Sequence, residues 1–160
     1  MTNGERLYDP LGINDLKELR ELALEEHENF FERNPHLRKI FYNSLIGICP
    51  CQGAASHYLN PTVGIKDFDI WHFYLENEKV NFPYRAHKWI ENGYKNKPID
   101  FLKRVIPKYI YDLNPSSPDR IIMNYLLERN TKTKILLLKK GIIGLYPDKM
   151  FNKVLWKGEL

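Results

Sequence analysis

Two spacings of apolar residues alternate along this chain, one helical and one strand-like, and the switches between them mark its elements. From about Asn14 to Arg33, Leu16, Leu19, Leu22, Ala23 and Phe30 fall near one helical face. Asn14 is placed to cap that helix, and Asp15 suits its positive end. Asn34-Pro35 breaks the pattern, and Pro35 fits the first turn of a second short helix through Tyr42. Ser44 to Cys49 (SLIGIC) is short, apolar and bounded by proline, which predicts a buried strand. Gln52 to Leu59 opens with a flexible glycine and continues in small residues up to Asn60-Pro61. It reads as a tight turn into a short helix.

Between Gly64 and Leu75, aromatic and β-branched residues fill both alternating sets from Phe68 onward, as in a strand covered on both faces. Asn81 to Lys97 is rich in Tyr, His, Lys, Asn and Gly and is expected to be irregular, with a short helix around Arg85–Ile90. Ile99 to Ile106 predicts a third strand, stopped by Pro107. Ser116-Ser117-Pro118-Asp119 is a helix start, and that helix is expected to run to about Arg129. A further helix from about Thr131 to Lys140 ends at Gly141, although its Thr-Lys-Thr-Lys opening also suits the start of a strand, and Ile142 to Tyr146 would supply a last strand. The expectation is an α/β (α+β) fold, a small mixed sheet flanked by helices. One domain over 1–160 is expected, with helical segments 14–42 and 116–140 around a core at 44–106.

Composition narrows this little. At 160 residues, 43% hydrophobic and 28% charged, the chain has a globular balance and room for a core of its own. No apolar run approaches the ~20 residues of a membrane span, and the first residues lack signal-peptide architecture, so a cytoplasmic protein is expected. Cys49-Pro50-Cys51 carries the only cysteines, too few and too close for a zinc site or an unstrained disulfide, and reads as part of a buried strand. Charge is more informative. Residues 1–94 hold ten Lys/Arg against fourteen Asp/Glu, whereas 95–160 hold fourteen against six. The basic second half suits an anionic partner such as a nucleotide or nucleic acid.

The residues that carry chemistry are acids. Asp67 and Asp69, two apart at the front of a strand, project from the same face with Cα atoms ~6.5–7 Å apart. Carboxylates that close repel unless a cation lies between or beside them, and Mg²⁺, with its preference for oxygen ligands and substrate phosphates, suits the place. The pair precedes its apolar strand rather than following it, unlike the acids of sugar-nucleotide transferases or aspartyl-phosphate enzymes. Gly53-Ala54 opens a helix after a buried strand, where backbone N–H groups and the helix N-terminus favour a phosphate. If the strand carrying Asp100 pairs beside the first acidic strand, a third carboxylate completes the group.

Taken together, CQGAASHY, KDFDIW and PIDFLK resemble the signature of the nucleotidyltransferase (polymerase β-like) superfamily over Cys49 to Lys103. That signature is a small-residue turn, then an acid pair in a strand, then a third acid in another strand. The resemblance implies Asp67, Asp69 and Asp100 as catalytic residues and as ligands of Mg²⁺ or Mn²⁺. Asp100 would help to deprotonate the attacking hydroxyl, and Gln52, Gly53 and Ala54 would form the turn beneath a nucleoside triphosphate such as ATP. One position departs from the pattern: Ala54 stands where the family usually has Ser or Gly. The acceptor would be a hydroxyl of RNA, of a protein or of a small molecule. An inactive module of the same fold, binding nucleic acid or a protein partner in an antitoxin-like or regulatory role, is the competing reading. A homo-oligomer or a partner chain stays open, and no membrane partner is expected.

Other side chains carry less. Arg85, between the acidic strands, is a candidate clamp for the substrate. Arg104 shares the strand parity of Asp100 and is a candidate to flank the acids, while Lys103 points away. His27, His57 and His72 read as packing or structural residues. A calcium loop from Asp67 to Glu78 fails, because its fifth and sixth positions are Trp71 and His72.

Overall fold

The computed structural model describes residues 5–83 and 87–159. Its centre is a six-stranded sheet in the order β3-β4-β2-β1-β5-β6. The strands are β1 (Leu45–Cys51), β2 (Phe68–Leu75), β3 (Lys88–Tyr94), β4 (Lys97–Ile106), β5 (Ile142–Ile143) and β6 (Val154–Trp156). All neighbours are antiparallel except β2 and β4, which run parallel from Phe68 opposite Ile99 to Leu75 opposite Ile106. Helices cover both faces, so the fold is α+β.

Strand parity decides which helix covers which face. The even residues of β2, Phe68, Ile70, His72 and Tyr74, face α1 (Ile13–Arg33) and α2 (Pro35–Phe41). Leu16, Leu19 and Ala23 of α1 pack there with Ile48, Ile99 and Phe101. Farther along, Phe30, Phe31, Leu37 and Phe41 enclose Tyr74. The odd residues Trp71 and Phe73 turn to the other face, where the short α4 (Lys108–Tyr111) supplies Ile110, and α5 (Pro118–Leu126) and α6 (Lys132–Leu138) supply Ile121, Ile122, Leu126, Leu137 and Leu138. Cys49 and Cys51 are free thiols buried in this second layer, as a strand reading requires. Burial pushes both thiols well up from their ordinary range.

Two buried charges inside the first layer pair with each other. Lys103 and Glu26 are both buried and meet at 2.6 Å, joining β4 to α1, and Arg33 adds a second contact to Glu26 at 3.2 Å. Burial lowers the Lys103 pKa, while Glu26 acts the other way. His72 is fully buried and hydrogen-bonded to the Ala23 carbonyl at 2.9 Å, and desolvation drops its pKa to about 3. His27 is bonded to the Tyr74 hydroxyl at 2.8 Å. Both histidines are packing groups.

Several boundaries differ from expectation. The first helix starts at Ile13 with Gly12 as its cap residue, and the Asp15 carboxylate accepts the Gly12 N–H at 2.7 Å. The stretch expected to be irregular, with a helix around Arg85–Ile90, holds the edge strand β3 over Lys88–Tyr94 instead. Its hairpin to β4 turns at Lys95-Asn96, both left-handed with φ of 48° and 61°. Paired positive φ suits the twist of a two-residue hairpin, but Lys-Asn is not the usual glycine-containing signal, which hid it. The last expected strand, Ile142 to Tyr146, shortens to Ile142–Ile143, and β6 joins it from beyond.

Candidate functional site

β1 ends at Cys51 in an extended conformation, and Gln52 then reverses the chain with φ of 57° into α3 (Gln52–Leu59). A Cβ built on Gly53 would meet no heavy atom within 4 Å, so the first turn of α3 opens onto empty space. Ala54 lies beside it but sends its methyl into the α1-side core, where it is buried. Only the backbone of Ala54 is therefore offered to the open side. A Ser side chain there would have to displace apolar packing to reach outward.

Strand register brings the acids to this turn. Cys51 pairs with Asp69, Asp69 pairs with Asp100, and Asp100 pairs with Trp89. Directly paired residues share a sheet face, so one rung runs from the turn through two carboxylates to an aromatic edge residue. It lies on the α5/α6 side. Asp67 sits just ahead of β2 in a loop that is held at several points. The backbones of Ile65 and Leu7 exchange two hydrogen bonds of 2.8 Å. The fully buried His57 is bonded through Nδ1 to the Val63 carbonyl at 2.6 Å and through Nε2 to that of Asp9 at 2.8 Å. His57 is thus a buried anchor of the loop that carries Asp67.

The electrostatics of the trio are unbalanced. Burial, then the charges of Asp67 and Asp100, then a hydrogen bond with Asp67 push the pKa of Asp69 up to about 7, with Lys140 pulling the other way. A group of oxygen donors that raises its own proton affinity in this way is chemically suited to a divalent cation. Among the described residues, no three or more His, Cys, Asp or Glu side chains are already arranged to hold a metal ion. The acids are neighbours in register rather than a closed cage.

Of the remaining expected residues, Arg104 is less close. Arg85 lies outside the described residues. Arg104 is on the same face of β4 as Asp100, but four residues farther on, ~13 Å along the strand. Its guanidinium lies 5.2 Å from the centre of the Trp71 ring and donates to the Lys103 carbonyl at 3.2 Å. It lines a cavity of about 280 Å³ with Phe82, Pro83, Tyr125, Thr131 and Thr133.

Three neighbours of the acids were not legible beforehand. His87, half exposed, has Nδ1 3.3 Å from an Asp100 carboxylate oxygen. Trp89 is placed by the β3 pairing, and Lys140 arrives because Ile142, two residues on, pairs with Cys51. His87 and Trp89 depend on the hairpin whose Lys95-Asn96 turn lacks the usual glycine signal, and Lys140 depends on a pairing between distant segments, for which no local pattern exists. Compared with protein-family models, with curated proteins and with solved structures, the chain matches none. Among the described residues no helix is long and apolar enough to cross a membrane.

Proposed function

We propose that this chain is a nucleotidyltransferase that moves a nucleoside monophosphate from a nucleoside triphosphate onto a hydroxyl acceptor, with Mg²⁺ or Mn²⁺ as cofactor. The observation that carries this reading is the in-register pairing of Asp69 with Asp100 on adjacent parallel strands, one strand away from the open turn at Gln52-Gly53.

Asp67, Asp69 and Asp100 would hold the cation. When bound, it would neutralise charge on the triphosphate and acidify the attacking hydroxyl. The N–H groups at the start of α3 would take phosphate oxygens, since they form the positive end of the helix and the space beside Gly53 is open. Asp100 would accept the hydroxyl proton of the acceptor. The acceptor oxygen would then bond to the α-phosphorus as the bond to the departing pyrophosphate breaks. Lys140, whose charge already acts on Asp69, is suited to the phosphates. The protein's share of the rate would come from position and charge rather than covalent chemistry.

Thermal unfolding tests the reading. Mg²⁺ and a nucleoside triphosphate together should raise Tm, by about 2.7 kcal/mol of stability at a hundred-fold excess over Kd. Asp67→Asn and Asp69→Asn should abolish that rise. Variants that respond like the parent would remove the assignment. A second reading, an inactive module of the same fold that binds nucleic acid or a protein partner, is favoured by the basic second half and by Ala54. It expects binding that is indifferent to Asp100→Asn.

A further inference from the structure

The rung through the acids has a direction. The turn at Gln52-Gly53 is at one end, then come Asp69 and Asp100, and Trp89 is at the other end on the outer strand. With strands ~4.8 Å apart, Trp89 is about three strand spacings from the turn. A triphosphate seated over the turn therefore leaves Trp89 on the far side of Asp100, where the acceptor must enter.

Trp89 is unusual for its place. Its side chain is 46% exposed on an edge strand. Its indole N–H donates to the Glu91 carboxylate at 2.6 Å, which satisfies the polar edge of the ring and fixes its orientation. Its paired neighbour is Asp100, at a Cβ separation of ~5 Å for a direct cross-strand pair. The two side chains thus stand next to each other on one face, within reach of a single nucleoside. Farther along the same face, Arg104 has no carboxylate partner among the described residues, a cation available to a phosphate of the same ligand.

We propose that Trp89 is the platform on which the acceptor's nucleobase stacks, so that the acceptor is a nucleoside hydroxyl held at Asp100, and where the acceptor is a strand end the phosphate on its 5′ side is directed to Arg104. This rests on the transferase reading above and assigns its acceptor. The hydroxyl comes from a free nucleoside or from the end of a single strand, which offer the same chemistry. Trp89 acts here as a binding and positioning residue.

The test uses the whole chain and two separate readouts. Anisotropy of a labelled single-stranded hexaribonucleotide measures acceptor binding, and the Mg²⁺–ATP rise in Tm measures the triphosphate side. Trp89→Ala should weaken the oligonucleotide by about 10- to 100-fold, and Trp89→Phe, which keeps a flat ring, by much less. Both variants should keep the parental response to Mg²⁺–ATP, which also shows that they are folded. Asp69→Asn should lose that response and keep the oligonucleotide. Unlabelled adenosine that displaces the hexamer would make a single nucleoside sufficient. Displacement by unlabelled hexamer alone would make a strand end the source. Equal affinity in Trp89→Ala and parent, or no oligonucleotide binding by a parent that responds to Mg²⁺–ATP, overturns the platform and leaves the transferase reading intact. A parent with no response to Mg²⁺–ATP overturns that reading instead, and the acceptor assignment with it.

Discussion

In Asp69, burial and two neighbouring carboxylates act in the same direction, and the consequence is a pH dependence of known sign. An unfolded chain releases this proton near the ordinary carboxylate pKa of about 4, whereas the folded protein holds it to about 7. Between those limits the folded state binds more protons, so stability falls as pH rises and levels off above the folded value. Asp69→Asn removes the fall. Without divalent cation, it should therefore be more stable than the parent at pH 8, by on the order of 1–2 kcal/mol after discounting for partial exposure, and nearly equal at pH 4. Urea unfolding at the two pH values checks this, and equal stability at both would mean that the acids are not crowded.

Among the elements, α1 and β4 are joined by a contact of higher stakes than their apolar packing alone. Glu26 and Lys103 are both buried, and removing one strands the other in a medium that solvates charge poorly. Lys103 also lies 4.8 Å from the centre of the Phe30 ring, an attraction that does not replace a counter-ion. Glu26→Gln should cost about 3–5 kcal/mol, while Glu26→Leu combined with Lys103→Met should recover most of it. Chemical denaturation of the two variants separates these outcomes, and a double variant no better than the single one would deny the coupling. Strand alternation alone turns Lys103 away from the acids, and the structure places it there, against α1. Its partner on α1 is invisible to that rule, because the two residues lie 77 positions apart in the chain.

The molecule as a whole is electrically divided, with acidic residues in excess before residue 95 and basic ones after it. β4, β5, β6, α5 and α6 all belong to the basic part, and they border the face on which the acids lie. If a nucleic-acid strand binds there, its affinity should fall with salt, with log K decreasing by about 0.7 per phosphate contact for each unit of log salt. A titration of the hexaribonucleotide over several salt concentrations measures the slope, and an affinity independent of salt would exclude the basic face as the binding surface.

What the amino-acid order determined by itself was local. Apolar spacing, proline and small residues located α1, α2, β1, α3, β2 and β4 to within a few residues, because these signals act between near neighbours. The acids and the glycine turn stood out for the same reason. Tertiary structure alone decided that β4 lies parallel beside β2, that Lys95-Asn96 closes a hairpin, and that Ile142 returns to Cys51. Those pairings put Asp100 opposite Asp69 and brought His87, Trp89 and Lys140 to the same place. Register between distant strands follows from how all the buried faces fit together, and no short stretch of sequence contains it.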